Sequence, residues 1–398
     1  MVPLQDVPER TATCQNFIAN VQSRIGCCKA VAGAVFGSGF FYGALRITTN
    51  KHAMIAFETR CEALDLPLIH PFTISRGTRT LVHNLLVTLS ADGITGVGEA
   101  APNHRYGETQ QSARFFLKQY HRFELEEPVD LAQAARFIQG IAGGEFAAKA
   151  AMEMALLDWI GKKQGCPLHK ILKAPVKITP PTTFTIGLDR PSKIAHKIEE
   201  AARWPLLKIK LGGSDDRQLI KTVRRYTDKP LMVDANEGWT SSAEALEHIR
   251  YLNDQHVFLI EQPMPASMNK EMRLLREVSA IPLIADESLS GSYNLDELAR
   301  GFHGLNLKLM KTGGLLSALH LVNAARKKGL QIMVGCMLES SVANTAAAVL
   351  ALWADYADID SHLLIRSDPW QGVQVRDDAR LFLSDRPGLG LKKMADLL

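Results

Sequence analysis

Five short apolar runs in the second half of the chain each end in a charged side chain. They cover 207–210, 231–234, 258–261, 283–286 and 305–308. Their terminal charges, Lys210, Asp234, Glu261, Asp286 and Lys308, are 24, 27, 25 and 22 residues apart. A step of that size holds one strand, one helix and two short loops, so the series predicts consecutive βα units of a parallel barrel. Parallel strands are buried on both faces, which suits unbroken apolar runs. A charge closing each run then stands at the carboxyl rim, where such barrels carry their chemistry. Further strands are expected at 183–186, 331–336 and 357–360. The predicted class is α/β, a TIM-like (β/α)7β barrel over 176–370.

Ahead of the barrel the pattern changes. Residues 55–59 and 81–89 read as strands, and the turn Ala91-Asp92-Gly93 leads into a third at 95–100. A polar loop with a glycine, 74–79, is expected between the first two. Residues 108–173 follow a helical period, and 147–159 are almost uniformly apolar on one face. This predicts an α+β capping domain over 54–175. The short strands and Gly/Pro turns of 371–398 are expected to complete it.

A chain of 398 residues accommodates two domains. Hydrophobic residues at 46% and charged residues at 22% are ordinary for a soluble globular protein. The net charge of +4 is spread out, with no basic block or interleaved aromatic run, so no nucleic-acid partner is expected. The cysteines, Cys14, Cys27, Cys28, Cys61, Cys166 and Cys336, form no CxxC pair and no metal-ligand spacing. That usage fits free thiols in a reducing compartment, hence a cytoplasmic protein. Residues 1–53 stand apart. Their uncharged stretch, 30–45, is shorter than the about 20 residues of a membrane span and lies too far in for a secretory signal. It reads as a flexible extension, a membrane-seeking anchor, or translated sequence upstream of a start at Met54. The last is favoured, because the domain pattern begins there, and no membrane partner is expected. A homo-oligomer is left open.

Asp234, Glu261 and Asp286 would bring three hard oxygen ligands from neighbouring strands to one point, a set suited to Mg²⁺. No histidine or cysteine sits at these rim positions, which argues against zinc. A single strand-end aspartate is as readily a helix N-cap; three in register, flanked by lysines, form a poor fit to that alternative. Lys208 and Lys210 are two apart on one strand and point the same way. Side by side they are expected to disfavour each other's charge, leaving one as a neutral base. Lys308 approaches from across the barrel. A metal between two opposed bases is what proton removal α to a carboxylate requires. Lys311 reads as a solvated lysine at a helix start.

These residues carry a resemblance. From Met54 onward the chain resembles the enolase superfamily, muconate-lactonizing subgroup. The match lies in Lys208-Ile209-Lys210, Val233-Asp234-Ala235-Asn236, Ile260-Glu261-Gln262-Pro263, Ala285-Asp286-Glu287-Ser288 and residues 306–314. That superfamily pairs a Lys or His base with Mg²⁺. The resemblance implies that Lys210 and Lys308 are the two bases and that Lys208 stabilises an enolate. It also implies that Asp234, Glu261 and Asp286 bind one Mg²⁺, with Glu287 and Asn236 behind them. Asp358-Ile359-Asp360 resembles the D-x-D motif with which dipeptide epimerases bind the substrate's ammonium group, and two carboxylates facing a buried cation make physical sense. Thr185, Cys336 and Met337 fall at substrate-facing positions. Arg76, Arg79 and the stretch 105–108 fall in the two loops that cover the site, where an arginine could pair a second substrate carboxylate.

The implied activity is Mg²⁺-dependent epimerisation at the α-carbon of a dipeptide's C-terminal residue. The implied substrate is L-Ala-D/L-Glu, as in peptidoglycan-peptide recycling. Epimerisation of another dipeptide, N-acylamino acid racemisation, o-succinylbenzoate synthesis and a catalytically silent peptide-binding barrel are the alternatives.

Overall fold

Alternation along each barrel strand divides its side chains between two environments. In the computed structural model, which describes residues 53–396 apart from Ser75, Ser214 and Ser292, the barrel strands are β5 (Phe184–Ile186), β6 (Leu207–Lys210), β7 (Leu231–Asp234), β8 (Val257–Glu261), β9 (Leu283–Ala285), β10 (Gly304–Leu307), β11 (Gln331–Gly335) and β12 (Tyr356–Asp358). They form one parallel sheet in sequence order. A bridge between Thr182 and Ala357 brings its two ends together into a nearly closed barrel. Met232, Leu259, Ile284 and Met333 cluster as an apolar floor. Two residues on from the first three stand Asp234, Glu261 and Asp286, so the same inward row changes from apolar to charged towards the rim. Gly335 follows Met333, and a Cβ there would meet Asn306 Oδ1 at 2.6 Å. The alternate residues, such as Leu231, Val233, Ile260 and Leu283, belong to the main core.

The cap is an antiparallel sheet, order β3-β2-β1-β4, of β1 (Met54–Ile74), β2 (Gly77–Ala91), β3 (Ile94–Ala100) and β4 (Arg122–Glu126). Its helices are α1 (Gln110–Gln119), α2 (Leu131–Gly140), α3 (Phe146–Lys163) and α4 (Leu168–Ile171). Helix α3 is buried almost all round, as an apolar helix inside a core must be. Gly96 and Gly98 let the sheet lie directly on its backbone; a Cβ at Gly98 would be 2.0 Å from Ala151 O. Two acids on α3 are buried and tied to other elements. Glu153 accepts the Leu316 N–H at 2.9 Å, and Asp158 accepts those of Val97 at 3.0 Å and Leu389 at 2.8 Å.

Two expectations for the cap need correction. The loop expected at 74–79 is only a tight turn, because Phe72, Thr73 and Ile74 pair with Arg79, Thr78 and Gly77. The hairpin thus carries its strands out to the tip, and Arg79 sits on a strand. Residues 122–126 are a strand, not helix: their Arg-Phe-Glu-Leu-Glu alternation pairs with the edge of β1. The expectations for residues 1–52 lie outside the described residues.

The barrel helices are α5 (Pro191–Glu200), α6 (Asp216–Arg224), α7 (Ser242–Asp254), α8 (Asn269–Val278), α9 (Leu295–Gly301), α10 (Leu309–Thr312), α11 (Leu315–Lys327) and α12 (Ser341–Leu350). No helix among the described residues is long and apolar enough to cross a membrane. After β12 the chain makes short strands, and Gly388 bonds both ways with the cap: its N–H to Cys166 O at 3.0 Å and its carbonyl to Leu168 N–H at 2.8 Å.

Candidate active site

A cavity of about 500 Å³ opens between the barrel rim and the cap. The barrel contributes Thr185, Lys208, Lys210, Asn236, Asp286, Lys308, Cys336, Met337, Asp358 and Asp360 to its wall. The hairpin tip contributes Arg76 and Arg79, and the turn at His104–Tyr106 adds Arg105 and Tyr106. The charged residues singled out in the sequence on the barrel strands and the hairpin therefore share one wall, but Phe72, Ile74, Val82, Asn84, Leu338 and Leu364, which also line it, were not among them. Asp234, Glu261 and Glu287 lie just behind it, 0–1% exposed.

The rim is a lattice of ion pairs. Lys208 Nζ lies 2.6 Å from Glu261 Oε2, 2.5 Å from Asp358 Oδ2 and 3.2 Å from Asp234 Oδ2. Lys210 Nζ is 2.7 Å from Asp234 Oδ2, and Lys308 Nζ is 2.7 Å from Asp286 Oδ2. Lys210 ends β6 and Lys308 directly follows β10, strands four apart in the eight-stranded order, so the two stand on opposite sides of the mouth. Asn306 donates to Glu261 Oε1 at 2.7 Å. The backbone N–H of Asn236 reaches Asp234 Oδ1 at 2.9 Å, and its side chain reaches Glu287 Oε1 at 3.3 Å.

Two expectations about the lysines change. Lys311 is not solvated. It is buried and donates to Asp286 Oδ1 at 2.6 Å, to Asp286 O at 2.7 Å and to Asn306 O at 3.1 Å. Burial lowers its pKa against the pull of Asp286. Nor does a neighbouring ammonium lower Lys208. Burial acts in that direction, but Asp358, Glu261 and Asp234 outweigh it and hold Lys208 well above the usual lysine range. Lys308 is raised likewise, burial being outweighed by Asp286 and Glu261.

The three carboxylates share the rim but do not meet at a single point. No three acidic, histidine or cysteine side chains among the described residues stand in a ligand set's arrangement. The physical reason is visible in the pairs above: each carboxylate is turned onto an ammonium group. The donor chemistry nonetheless fits a hard divalent cation, being three buried oxygen ligands from adjacent strands with no nitrogen or sulfur among them. Glu261 shows the need for further positive charge. Burial, then the charges of Asp234 and Asp286, push its carboxyl above the usual range despite Lys208 and Lys308.

On the far wall, Thr183 Oγ1 donates to Asp358 Oδ1 at 2.5 Å, and the Thr185 N–H donates to Asp360 Oδ2 at 2.6 Å. Cys336 Sγ bonds Asp358 O at 3.4 Å, and burial pushes its thiol far up. Met337 Sδ accepts from Asn103 of the cap at 3.7 Å. From the cap, Arg76 lies 2.9 Å from Glu287 and donates to Asn236 O at 3.2 Å. Arg79 lines the cavity with no ion-pair partner among the described residues. Tyr106, from the stretch 105–108, also faces the cavity, and burial followed by the charge of Asp286 raises its hydroxyl pKa.

A parallel barrel with lysines on both sides of an acid-lined rim, beneath an α+β cap, defines an enolase-superfamily protein of the muconate-lactonizing kind. The comparisons agree. The family of mandelate racemase and muconate lactonizing enzyme N-terminal domains matches residues 57–172, and the enolase C-terminal domain-like family matches residues 193–396. The chain belongs to this family and is an isomerase. It is 38% identical over 331 residues to an L-Ala-D/L-Glu epimerase of Bacteroides thetaiotaomicron, covering 83% of this chain and 86% of that one. It is 37% identical to an L-Ala-D/L-amino acid epimerase of Pedosphaera parvula, covering 83% and 97%. A dipeptide epimerase of Enterococcus faecalis, solved with Mg and L-Leu-L-Tyr, superposes with a TM-score of 0.76 at 27% identity, covering 85% and 99%.

Proposed function

We propose that this protein is a dipeptide epimerase that inverts the α-carbon of the C-terminal residue, with an L-Ala-Glu dipeptide as the substrate favoured. The observation that carries the reading is the placement of Lys210 and Lys308 on opposite sides of one cavity whose wall also holds Asp358 and Asp360. One lysine removes the α-proton and the other returns one from the opposite face, so each direction needs one base and one acid. Lys208 lies on the Lys210 side, its charge fixed by three carboxylates, where it stabilises negative charge developing on the substrate carboxylate. Asp234, Glu261 and Asp286 are the residues that would hold Mg²⁺, which when bound supplies Lewis-acid stabilisation of that same charge. Asp360 accepts the substrate ammonium. The substrates named for the relatives support a dipeptide, and a cytoplasmic role in recycling peptidoglycan peptides is consistent with Ala-Glu.

Of the two hairpin arginines, Arg79 is assigned to the substrate's side-chain carboxylate. Arg76 is already engaged by Glu287, whereas Arg79 faces the cavity unpaired. A broader preference is the second reading, favoured by the L-Ala-D/L-amino acid activity of the Pedosphaera relative.

A screen of dipeptide mixtures in deuterated water, read by mass, tests both. Turnover places one deuterium at the α-carbon of the C-terminal residue. If no dipeptide takes up deuterium, with Mg²⁺ supplied, the epimerase reading fails.

A further inference from the structure

The cap meets the barrel rim through two separate segments, the hairpin tip and the turn at His104–Tyr106. Both reach the same barrel side chain. Arg105 grips Glu237 with two parallel bonds, Nε to Oε2 at 3.0 Å and Nη2 to Oε1 at 2.9 Å. Arg76 approaches Glu237 Oε2 at 3.7 Å while donating to the neighbouring Asn236 O. Glu237 is itself held from below: its Oε1 accepts the Ala266 N–H at 2.9 Å, and its own N–H donates to Gln262 O at 3.0 Å. Asn236 and Glu237 both adopt left-handed backbone, at φ 45° and 68°. Non-glycine residues take that conformation seldom, and here it turns the Glu237 carboxylate up at the cap, three residues beyond Asp234.

We propose that Glu237 is the closure residue of this enzyme, a positioning residue that docks both cap segments onto the barrel over the bound substrate. It touches neither the two bases nor Asp358 and Asp360. Its bidentate fork with Arg105 fixes direction as well as distance, and only 15% of its side chain is exposed, so solvent screens the pairs incompletely. With Glu237 neutralised, both segments lose their shared anchor, while Arg76 keeps its contact with Glu287. The cavity then opens more often, substrate escapes before it reacts, and product leaves sooner. This consequence rests on the epimerase reading; the docking itself does not.

The arginines supply an independent readout, because trypsin cleaves after Arg76, Arg79 and Arg105 only when these segments lift off. Cleavage of a transiently opened form tracks its population when reclosing is fast. Glu237→Gln in the full chain keeps an oxygen for Ala266 but removes the charge. It should speed nicking at the hairpin tip and at Arg105 by about fivefold, the effect of a part-buried charged pair. Added salt should speed nicking of the wild type and leave the variant nearly unchanged. In kinetics, KM should rise by a similar factor with kcat unchanged or higher. Glu247→Gln, which breaks an exposed pair between Glu247 on α7 and Arg217 on α6, serves as the control and should change nothing. Should Glu237→Gln fail to fold, Glu237→Asp retracts the charge and carries the same test. Unchanged nicking, release of only one segment, or a fall in kcat at constant KM would overturn the proposal. If no dipeptide is turned over at all, the nicking rates still decide it.

Discussion

Lys208 and Asp358 meet at 2.5 Å, Nζ to Oδ2, over the top of the strand that separates theirs. This pair splits the two acids of the last barrel strand into different jobs. Asp358 is spent on a lysine and on Thr183, whereas Asp360 is held by Thr185 and by no cation within ion-pair reach among the described residues.

Asn substitutions should therefore separate the two aspartates. Asp360→Asn should raise KM for dipeptides with a free N-terminus by about tenfold or more, the worth of one charged hydrogen bond. It should spare N-acetylated substrates. Asp358→Asn should depress kcat on both, because it disturbs Lys208. Steady-state kinetics on the matched pair of substrates reads the difference; equal behaviour of the two variants would mean that Lys208 does not distinguish them.

Lys210→Ala and Lys308→Ala should each abolish epimerisation in both directions. Residual α-proton exchange, followed by NMR in deuterated water, should survive on one epimer only, and on the opposite epimer for the other variant. Exchange of both epimers by either variant would rule out opposed bases.

Arg79→Met should raise KM for Ala-Glu relative to Ala-Leu by roughly tenfold to a hundredfold, from about 1.5–3 kcal/mol of charge-assisted bonding. Arg76→Met should alter both substrates alike, since its partners Glu287 and Asn236 belong to the barrel. The ratio of kcat/KM values for the two dipeptides is the measurement.

Glu153 gives the fold a pH dependence. Complete burial, only partly offset by bonds from Leu316 and Leu315, pushes its carboxyl up to about 7. The folded protein then keeps a proton that the unfolded chain has released, so this residue costs stability as pH rises from about 4.5 through about 7. The cost is of the order of 3 kcal/mol at most. Glu153→Gln still accepts from Leu316 and should raise Tm at pH 8 by roughly a few degrees, with little change at pH 4.5. Thermal melts at both values check it; an equal shift at both would mean that charge is not the cause.

The barrel was legible because its signal is repeated. Each run ends in a charge at nearly constant spacing, and burial on both faces leaves strands such as 231–234 and 283–286 little freedom to mix in polar residues. The inward row was legible for the same reason, since Asp234, Glu261 and Asp286 each follow an apolar residue two places back. The cap was read less well. The strand expected at 55–59 runs on to Ile74, through Pro67 and Pro71, with a register shift between Pro67 and Phe72. Lys311 and Glu237 were missed because their roles depend on partners 25 and 132 residues away. Nothing local distinguishes a buried lysine on a helical turn from a solvated one. The charge of Lys208 was misjudged for a related reason: adjacency along β6 is visible in sequence, but the three carboxylates around Lys208 come from β7, β8 and β12.

Gly388 and Leu389 seat against the cap, Gly388 on the chain between Gly161 and Leu168 and Leu389 on Asp158; a side chain at Gly161 would collide with the Gly388 backbone at 2.4 Å. That contact sets an order of events during synthesis. The cap strands and α3 leave the ribosome before the barrel, yet Asp158 lacks its Leu389 partner until the whole barrel has been made. A buried carboxylate short of a donor is costly, so the cap, though made before the barrel, reaches its final stability only after it.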